Sequence, residues 1–304
     1  MLPVGAFSSR ATGATGAAFL KTPGGSRASA MGGVSAAAAR GAEAAFLNPA
    51  SLGNFEAESP SEVALGYDSL LETAYTGSVA YAKPVGRAGV LGLGLLYASQ
   101  SAQTAYNSLG DATGDFKPSD LALAGWYAHR FKSVNLAGGL KLIRSSLADR
   151  TGTTAAFDFG VVGKHVADLG EGPLDLGVSL TNLGPPLKLG GGSDPLPARL
   201  RAGALWRISP SFDAGLDINL PVDADPYVSL GLEGRVPVSQ AKAEKPWMAS
   251  LRLGFDQNRT RGVDGFTGFS AGAGFDFNKL RLDYAWIPFG DLGTINRITV
   301  AFRF

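Results

Sequence analysis

The feature that most constrains this chain is a hydrophobic period of two that runs from Glu62 to Phe304. Val63, Leu65 and Tyr67 alternate with Ala64, Gly66 and Asp68. Leu174, Leu176, Val178 and Leu180 alternate with Asp175, Gly177, Ser179 and Thr181. The pattern repeats in Phe212 to Leu220 against Asp213 to Asn219, and in Phe269 to Phe277 against Ser270 to Asp276. Leu280, Leu282, Tyr284 and Trp286 continue it, and Ile298, Val300, Phe302 and Phe304 close the chain. In a strand, successive side chains point to opposite faces, so each segment has one apolar and one small or polar face.

This periodicity predicts strands near 62–70, 74–83, 88–98, 120–130, 133–145, 154–164 and 173–182. Further strands are predicted near 198–208, 211–221, 226–236, 246–257, 266–277, 279–287 and 295–304. Their lengths suit tilted spans of roughly 9–11 residues, and an even total of about fourteen suits a bacterial transmembrane barrel. A soluble sandwich or propeller would also alternate. It would have to cover the large apolar face with helices or a second sheet, and little helix is available after residue 60. A bilayer covers that face without further sequence. Connections support the barrel: Arg130 to Ser133, Ile208 to Ser211 and Asn278-Lys279 are short, whereas Ser99 to Ser119, Asn182 to Pro197, Asn258 to Gly265 and Pro288 to Thr294 are long. Trp126, Tyr127, Trp206, Trp247, Tyr284 and Trp286 are expected in aromatic girdles near strand ends.

Composition changes near residue 60. The chain divides into 1–60, expected to be a plug within the barrel, and 61–304, the barrel itself. The first region is rich in alanine and glycine, with small side chains that pack in a confined space but hardly build a core. Ser26 to Arg40 reads as a helix or broken helix with a weak point at Gly32-Gly33. Asn48-Pro49-Ala50-Ser51-Leu52 reads as a capped helical turn. The Asn48 side chain would accept from the first free N–H groups, and Pro49 suits the first helical position.

Residue content excludes several functions. With a net charge of +1 in 304 residues, no nucleic-acid surface or polybasic membrane patch is indicated. The absence of cysteine removes disulfides, thiolate metal sites and cysteine nucleophiles. Glycine at 42 residues and charged residues at 17 % are an unusual mixture for a soluble α/β enzyme. No run of eighteen uncharged apolar residues offers a helical span. Met1 to Phe7 lacks the basic and apolar regions of a secretory signal. An exported barrel needs one, so Met1 is expected to be an engineered start on a mature chain, or a gene start placed too late.

The N-terminal runs Gly13 to Lys21, Ser26 to Gly33 and Asn48-Pro49-Ala50 resemble the PorV/PorQ family. More distantly, they are similar to the FadL-type long-chain fatty-acid transporters, whose hatch carries a comparable Arg-Ala…Asn-Pro-Ala pattern. Ser179 to Gly184, Pro195-Leu196-Pro197 and Trp286 to Gly293 extend the PorV/PorQ likeness over nearly the whole chain. Where family members often carry acidic residues after the Ala-rich segment, this chain has Ala39-Arg40-Gly41-Ala42. The resemblance implies a fourteen-stranded outer-membrane barrel with an N-terminal hatch containing Arg27, Met31, Gly32, Gly33, Asn48, Pro49 and Ala50. It also implies that the terminal aromatics Phe302 and Phe304 are read by the barrel-insertion machinery.

No catalytic site is expected. His129 and His165 fall on the outward face near strand ends, where a base would lack partners. No P-loop, H-E-x-x-H, EF-hand or G-x-S-x-G arrangement occurs, and no metal or cofactor is indicated. Asp223 and Asp225 read as a polar hairpin turn rather than a cation site, and the sequon Asn258-Arg259-Thr260 reads as accidental. Strand parity instead places Arg201, Glu233, Arg235, Arg252, Asp283 and Arg297 in the lumen, with Arg199, Arg207, Asp256, Asp276, Arg281 and Arg303. Their mixed signs predict ion pairs that hold the hatch, rather than an ion-selective pore.

Two functions remain open, beside the blander one of a structural barrel with no permeant. One is anchoring or shuttling of exported proteins at the outer membrane, as the PorV/PorQ resemblance implies, with the loops at 99–119 and 182–197 as platform. The other is hatch-gated passage of hydrophobic small molecules such as long-chain fatty acids. A lumen pocket lined by apolar residues would favour transport, and a tightly packed lumen would favour partner binding. Membrane lipids and the barrel-assembly machinery are expected partners of either.

Overall fold

In the computed structural model the described residues are 3, 5–22, 25–71, 73–170, 172–238 and 247–304. The strand expected at 246–257 therefore begins one position outside them, and Met1, Leu2, Val4, Pro23 and Gly24 of the expected plug also lie outside. The first strands are β1 Glu62–Ser69, β2 Tyr75–Pro84, β3 Val90–Ser99, β4 Gln103–Tyr106, β5 Ala112–Phe116 and β6 Ser119–Phe131. Next come β7 Val134–Leu147, β8 Arg150–Leu169, β9 Gly172–Leu183, β10 Leu187–Leu189, β11 Gly192–Asp194 and β12 Arg199–Ser209. The chain ends with β13 Phe212–Pro221, β14 Tyr227–Pro237, β15 Met248–Asp256, β16 Phe269–Phe277, β17 Leu280–Pro288 and β18 Thr294–Arg303.

Fourteen of these strands form one closed antiparallel barrel in the order β1-β18-β17-β16-β15-β14-β13-β12-β9-β8-β7-β6-β3-β2. Each of the fourteen strands expected from periodicity is present. Closure is complete: β1 pairs with β18 from Glu62↔Arg303 to Ser69↔Asn296, so no edge is left for aggregation. Turns at the end where the chain enters β1 and leaves β18 (the terminal end) are short except between Pro237 and Met248, and Lys132 and Asn278 take positive φ of 55° and 69° within two of them. The other, loop end has one tight turn, between Leu147 and Arg150, and otherwise longer connections. Two of these contain hairpins that the alternation did not reveal, β4–β5 and β10–β11, since each strand is only three to five residues long.

The faces are as the alternation requires. Leu65, Leu93, Leu142, Leu216, Leu251 and Ile298 are exposed on the outside. Ala64, Asp68, Asp158, Asp217, Glu233 and Asp283 are buried inside. An outer surface this rich in leucine and phenylalanine is the lipid-facing band of a membrane barrel, because water would penalise so large a continuous apolar area. Aromatic clusters flank it: Tyr67, Tyr75 and Tyr97 are neighbours near the loop end, with ring centroids 6.4 and 6.3 Å apart. Phe302, Phe304 and Tyr81 stack at the terminal end, at 6.0 and 6.4 Å. Trp126 departs from the expected girdle. It is inward and buried, edge-on to Phe46 at 4.9 Å, and its indole N–H donates to Asp158 at 3.0 Å. Its position in the middle of β6 and its even parity, shared with buried Ala124 and Ala128, both place it inside.

The helix expected over 26–40 is present only as α1, Ser26–Ala30. It ends where Gly32 and Gly33 turn left-handed, at φ 69° and 90°. There the Gly33 N–H donates to Ala28 O at 2.8 Å and the Gly32 N–H to Ser29 O at 3.2 Å, the paired bonds of a Schellman stop. It does not resume, because Asp217 of the barrel accepts from the Ser35 and Ala36 N–H groups at 2.7 and 2.9 Å. Pro49–Asn54 is a 3₁₀-helix. The Asn48 side chain accepts from the Ala50 N–H at 3.0 Å, with Pro49 at the first helical position, as expected.

Candidate functional site

The site is the space enclosed by the barrel, where the N-terminal segment meets inward side chains from many strands. Glycines on the wall make this approach possible. A Cβ at Gly254 would strike Gly32 and Met31, and one at Gly177 would strike Ala36. Met31 and Val34 are fully buried beside Leu205 of β12, and Phe46 and Leu52 belong to the larger apolar cluster with Leu96, Trp126 and Ile143. Asn48 is fully buried. Its side-chain amide donates to Ala36 O at 2.6 Å while its oxygen caps the following turn.

Around these contacts runs a chain of ion pairs toward the terminal end. Arg27 is bidentate on Glu233, with Nε donating at 2.9 Å and Nη2 at 2.6 Å. Burial works against the Arg27 charge, but Glu233 more than offsets it and holds the guanidinium above its ordinary pKa. Arg252 donates to Glu233 at 2.7 Å and to Asp283 at 2.6 Å, and Arg235 to Glu233 at 2.7 Å and Asp213 at 2.6 Å. Arg281 donates to Glu43 at 2.6 Å, and Arg303 to Glu62 at 2.9 Å and Asp276 at 3.0 Å. Burial pushes the Glu43 carboxyl up to about 6, against the pull of Arg281 and with Glu62 and Asp283 adding to the rise. A polar cavity of about 320 Å³ lies within this network, walled among others by Arg40, Glu62, Arg252 and Arg281.

On the opposite wall, Lys141 reaches Asp158 at 2.9 Å and donates to Asn182 at 2.7 Å. Asn182 has a left-handed φ of 60° at an irregularity of the β8–β9 ladder, and its N–H donates to Asp158 at 2.9 Å. Such a residue is strained unless several bonds hold it, as they do here. Toward the loop end a second cavity of about 320 Å³ is lined by Lys21, Arg199, Arg201, Arg259, Arg261 and Arg297, with Leu47, Ile287 and Ile295.

The structure brings together Arg27 with Glu233, Arg235, Arg252 and Asp283 from the expected set. It places Arg201 and Arg297 apart from them, near the loop end: Arg201 donates to Asn219 at 2.8 Å and Arg297 to Ser29 at 2.9 Å. Asn48 and Ala50 line the wall contact next to Gly160 with Pro49 buried between them in sequence, while Phe302 and Phe304 face outward and make no part of the lumen. His129 contacts Tyr127 and Ala88 O, and His165 pairs with exposed Asp168 at 2.6 Å; both sit toward the terminal end. Among the described residues no group of His, Asp and Glu is placed to hold a metal. Sequence reasoning missed Glu43, Glu62, Lys141 and Asp158. Inward parity with an opposite charge on a neighbouring strand would have signalled Asp158 and Lys141, which stand diagonally across β7 and β8, Lys141 opposite Ala156 and Asp158 opposite Gly139. Glu43 stands one residue beyond the Ala39 to Ala42 stretch that lacks acids, so only its contact with Arg281 identifies it.

No protein-family model matches the chain, and no curated protein sequence matches it. Solved structures do share its fold. The toluene transporter TodX of Pseudomonas putida aligns with a TM-score of 0.58 and 12 % identity, over 91 % of this chain and 96 % of that one. A FadL homologue of Pseudomonas aeruginosa aligns with a TM-score of 0.60 and 11 % identity, over 92 % and 98 %. At such identities the likeness establishes the barrel architecture.

Proposed function

We propose that this chain is an outer-membrane barrel whose residues 1–60 act as a fixed plug, and that it anchors or shuttles exported proteins at the cell surface. This is the role implied by the PorV/PorQ resemblance. The observation that carries it is the filling of the lumen by the N-terminal segment, tied to the wall by buried ion pairs such as Arg27–Glu233 and Arg281–Glu43. Both lumen cavities are walled largely by charged and polar groups, which a hydrocarbon permeant would have to desolvate. The β4–β5 hairpin meanwhile projects Tyr106 and Leu109 into solvent at the loop end, as a platform for a partner. Phe302 and Phe304 serve as the terminal signal for barrel assembly in this reading, and the surrounding partner is the membrane lipid.

A second reading, gated passage of hydrophobic molecules, is favoured by the shared fold with the toluene transporter and the FadL homologue. Mass spectrometry of everything that co-purifies with natively extracted protein separates the two. A stable set of exported proteins without an enriched apolar molecule is expected. Stoichiometric fatty acids or other apolar molecules would overturn the anchor reading in favour of transport.

A further inference from the structure

We infer that the loop-end cavity is a binding site for a phosphate group carried on a small organic body, independent of the anchor reading. The cavity of about 320 Å³ is at the lower end of small-molecule pockets, too small for a long acyl chain with its head group. Six cationic side chains line it, Lys21, Arg199, Arg201, Arg259, Arg261 and Arg297, against one carboxylate, Asp256. Lys21 is already closely paired with Asp223, but the acids behind the wall engage the arginines loosely. Arg201 stands 3.7 Å from Asp217, Arg259 3.8 Å from Asp256, and Arg297 3.8 Å from Asp68. These separations exceed the 2.7–2.9 Å of a charge-assisted hydrogen bond.

Two further observations point to a missing anion. The Nε of Arg297, in a residue buried to all but 6 %, makes no hydrogen bond, its nearest carboxylate oxygen being that of Asp68 at 3.8 Å. An orphaned guanidinium N–H in a buried site costs free energy until an acceptor fills it. Arg199 and Arg261 have no carboxylate within ion-pair distance among the described residues, and Arg261 donates only to the Asp225 and Pro226 carbonyls, at 3.1 and 2.9 Å. Arginine forks suit the oxygens of a phosphate in pairs, and several of them match a dianion better than a single carboxylate. Leu47, Ile287 and Ile295 on the same wall offer contact for a short carbon body. Arg261 is exposed at the rim, so the site is reached from the loop end.

The phosphate can come from a soluble ester or from the head group of a neighbouring lipid, and titration calorimetry on the full-length protein in uncharged detergent distinguishes them. Glycerol 3-phosphate and, separately, dihexanoyl phosphatidylglycerol are the probes. Submillimolar binding of glycerol 3-phosphate identifies a soluble ester; binding of phosphatidylglycerol alone identifies a head group. In either case the joint substitution Arg199→Gln and Arg261→Gln weakens binding at least tenfold, whereas Arg87→Gln at the other end leaves it unchanged. If the double variant does not fold, competition on the natural protein decides, because inorganic sulfate must displace the bound probe. Absence of binding by both probes, binding that survives the double substitution, or indifference to sulfate overturns the site.

Discussion

The two halves of the lumen are built from the same residue types and held in different ways. Toward the terminal end, arginines from the N-terminal segment and the wall alternate with carboxylates at 2.6 to 2.9 Å, as in Arg27–Glu233, Arg252–Asp283 and Arg303–Glu62. Toward the loop end, the pairs Arg201–Asp217, Arg259–Asp256 and Arg297–Asp68 open to 3.7 or 3.8 Å around a cavity. A buried charge is tolerated only when its partner is close and its remaining donors are bonded. The closed half meets the distance condition, although Arg281 Nε and Asp283 Oδ2 make no hydrogen bond there, so it fastens the N-terminal segment. The open half leaves its carboxylates at 3.7 or 3.8 Å and Arg297 Nε without a hydrogen bond, and a ligand or solvent must complete it. Fastening and binding are thereby assigned to opposite ends of one enclosed space.

Removing Glu233 is the strongest way to break this contrast. Glu233→Gln leaves Arg27, Arg235 and Arg252 without their shared carboxylate, and the expected cost is about 3–5 kcal/mol. A lowered midpoint of the heat-induced gel-mobility shift, with new trypsin cleavage at Arg27 or Arg40, is the expected result. An unchanged midpoint would show that the tight pairs do not fasten the segment.

Steric fit can be separated from charge at Gly254. Gly254→Val directs a side chain into the backbone of Met31 and Gly32, so about 3 kcal/mol should be lost by overpacking with every ion pair intact. Denaturant titration followed by tryptophan fluorescence measures this, and a neutral outcome would mean that the segment shifts freely.

Protonation of Glu43 sharpens the comparison further. Its folded-state carboxyl lies at about 6, above its ordinary value of 4.5, so the folded protein holds this proton more tightly than the unfolded chain. The resulting stability is fully present below pH 4.5 and is lost as pH rises through 6. The difference is on the order of 2 kcal/mol. Glu43→Gln should flatten the stability profile in that window; a profile identical to that of the natural protein would contradict the assignment.

The smallest effect is expected at the loop end. Arg259→Gln exchanges a loose pair at 3.8 Å and donations to the Phe269 and Gly268 carbonyls at 3.0 Å, and its cost should be about 1 kcal/mol in the same denaturant titration. A loss comparable to that of Glu233→Gln would erase the distinction between the halves.

Much of this architecture is legible in residues taken one strand at a time. Leu280, Leu282 and Tyr284 against Arg281 and Asp283 specify which face meets lipid, because side-chain direction in a strand is a local property of the backbone. The stop at Gly32-Gly33 and the Asn48 cap are local as well, set by positive φ and by a side chain bonding two residues ahead. Trp126 lies inside because strand parity, shared with Ala124 and Ala128, outranks the general preference of tryptophan for the girdle. Only the closed barrel decided the pairing of charges. Arg27 and Glu233 are 206 residues apart, and Arg281 and Glu43 238 apart. The sequence alone determined the strands, their two faces and the break between a small-residue segment and a barrel, since all three follow from local periodicity and composition. Which cation meets which carboxylate, and which are left open at the loop end, depends on strand register, closure and the path of the enclosed segment. Those are long-range properties, and no window of sequence contains them.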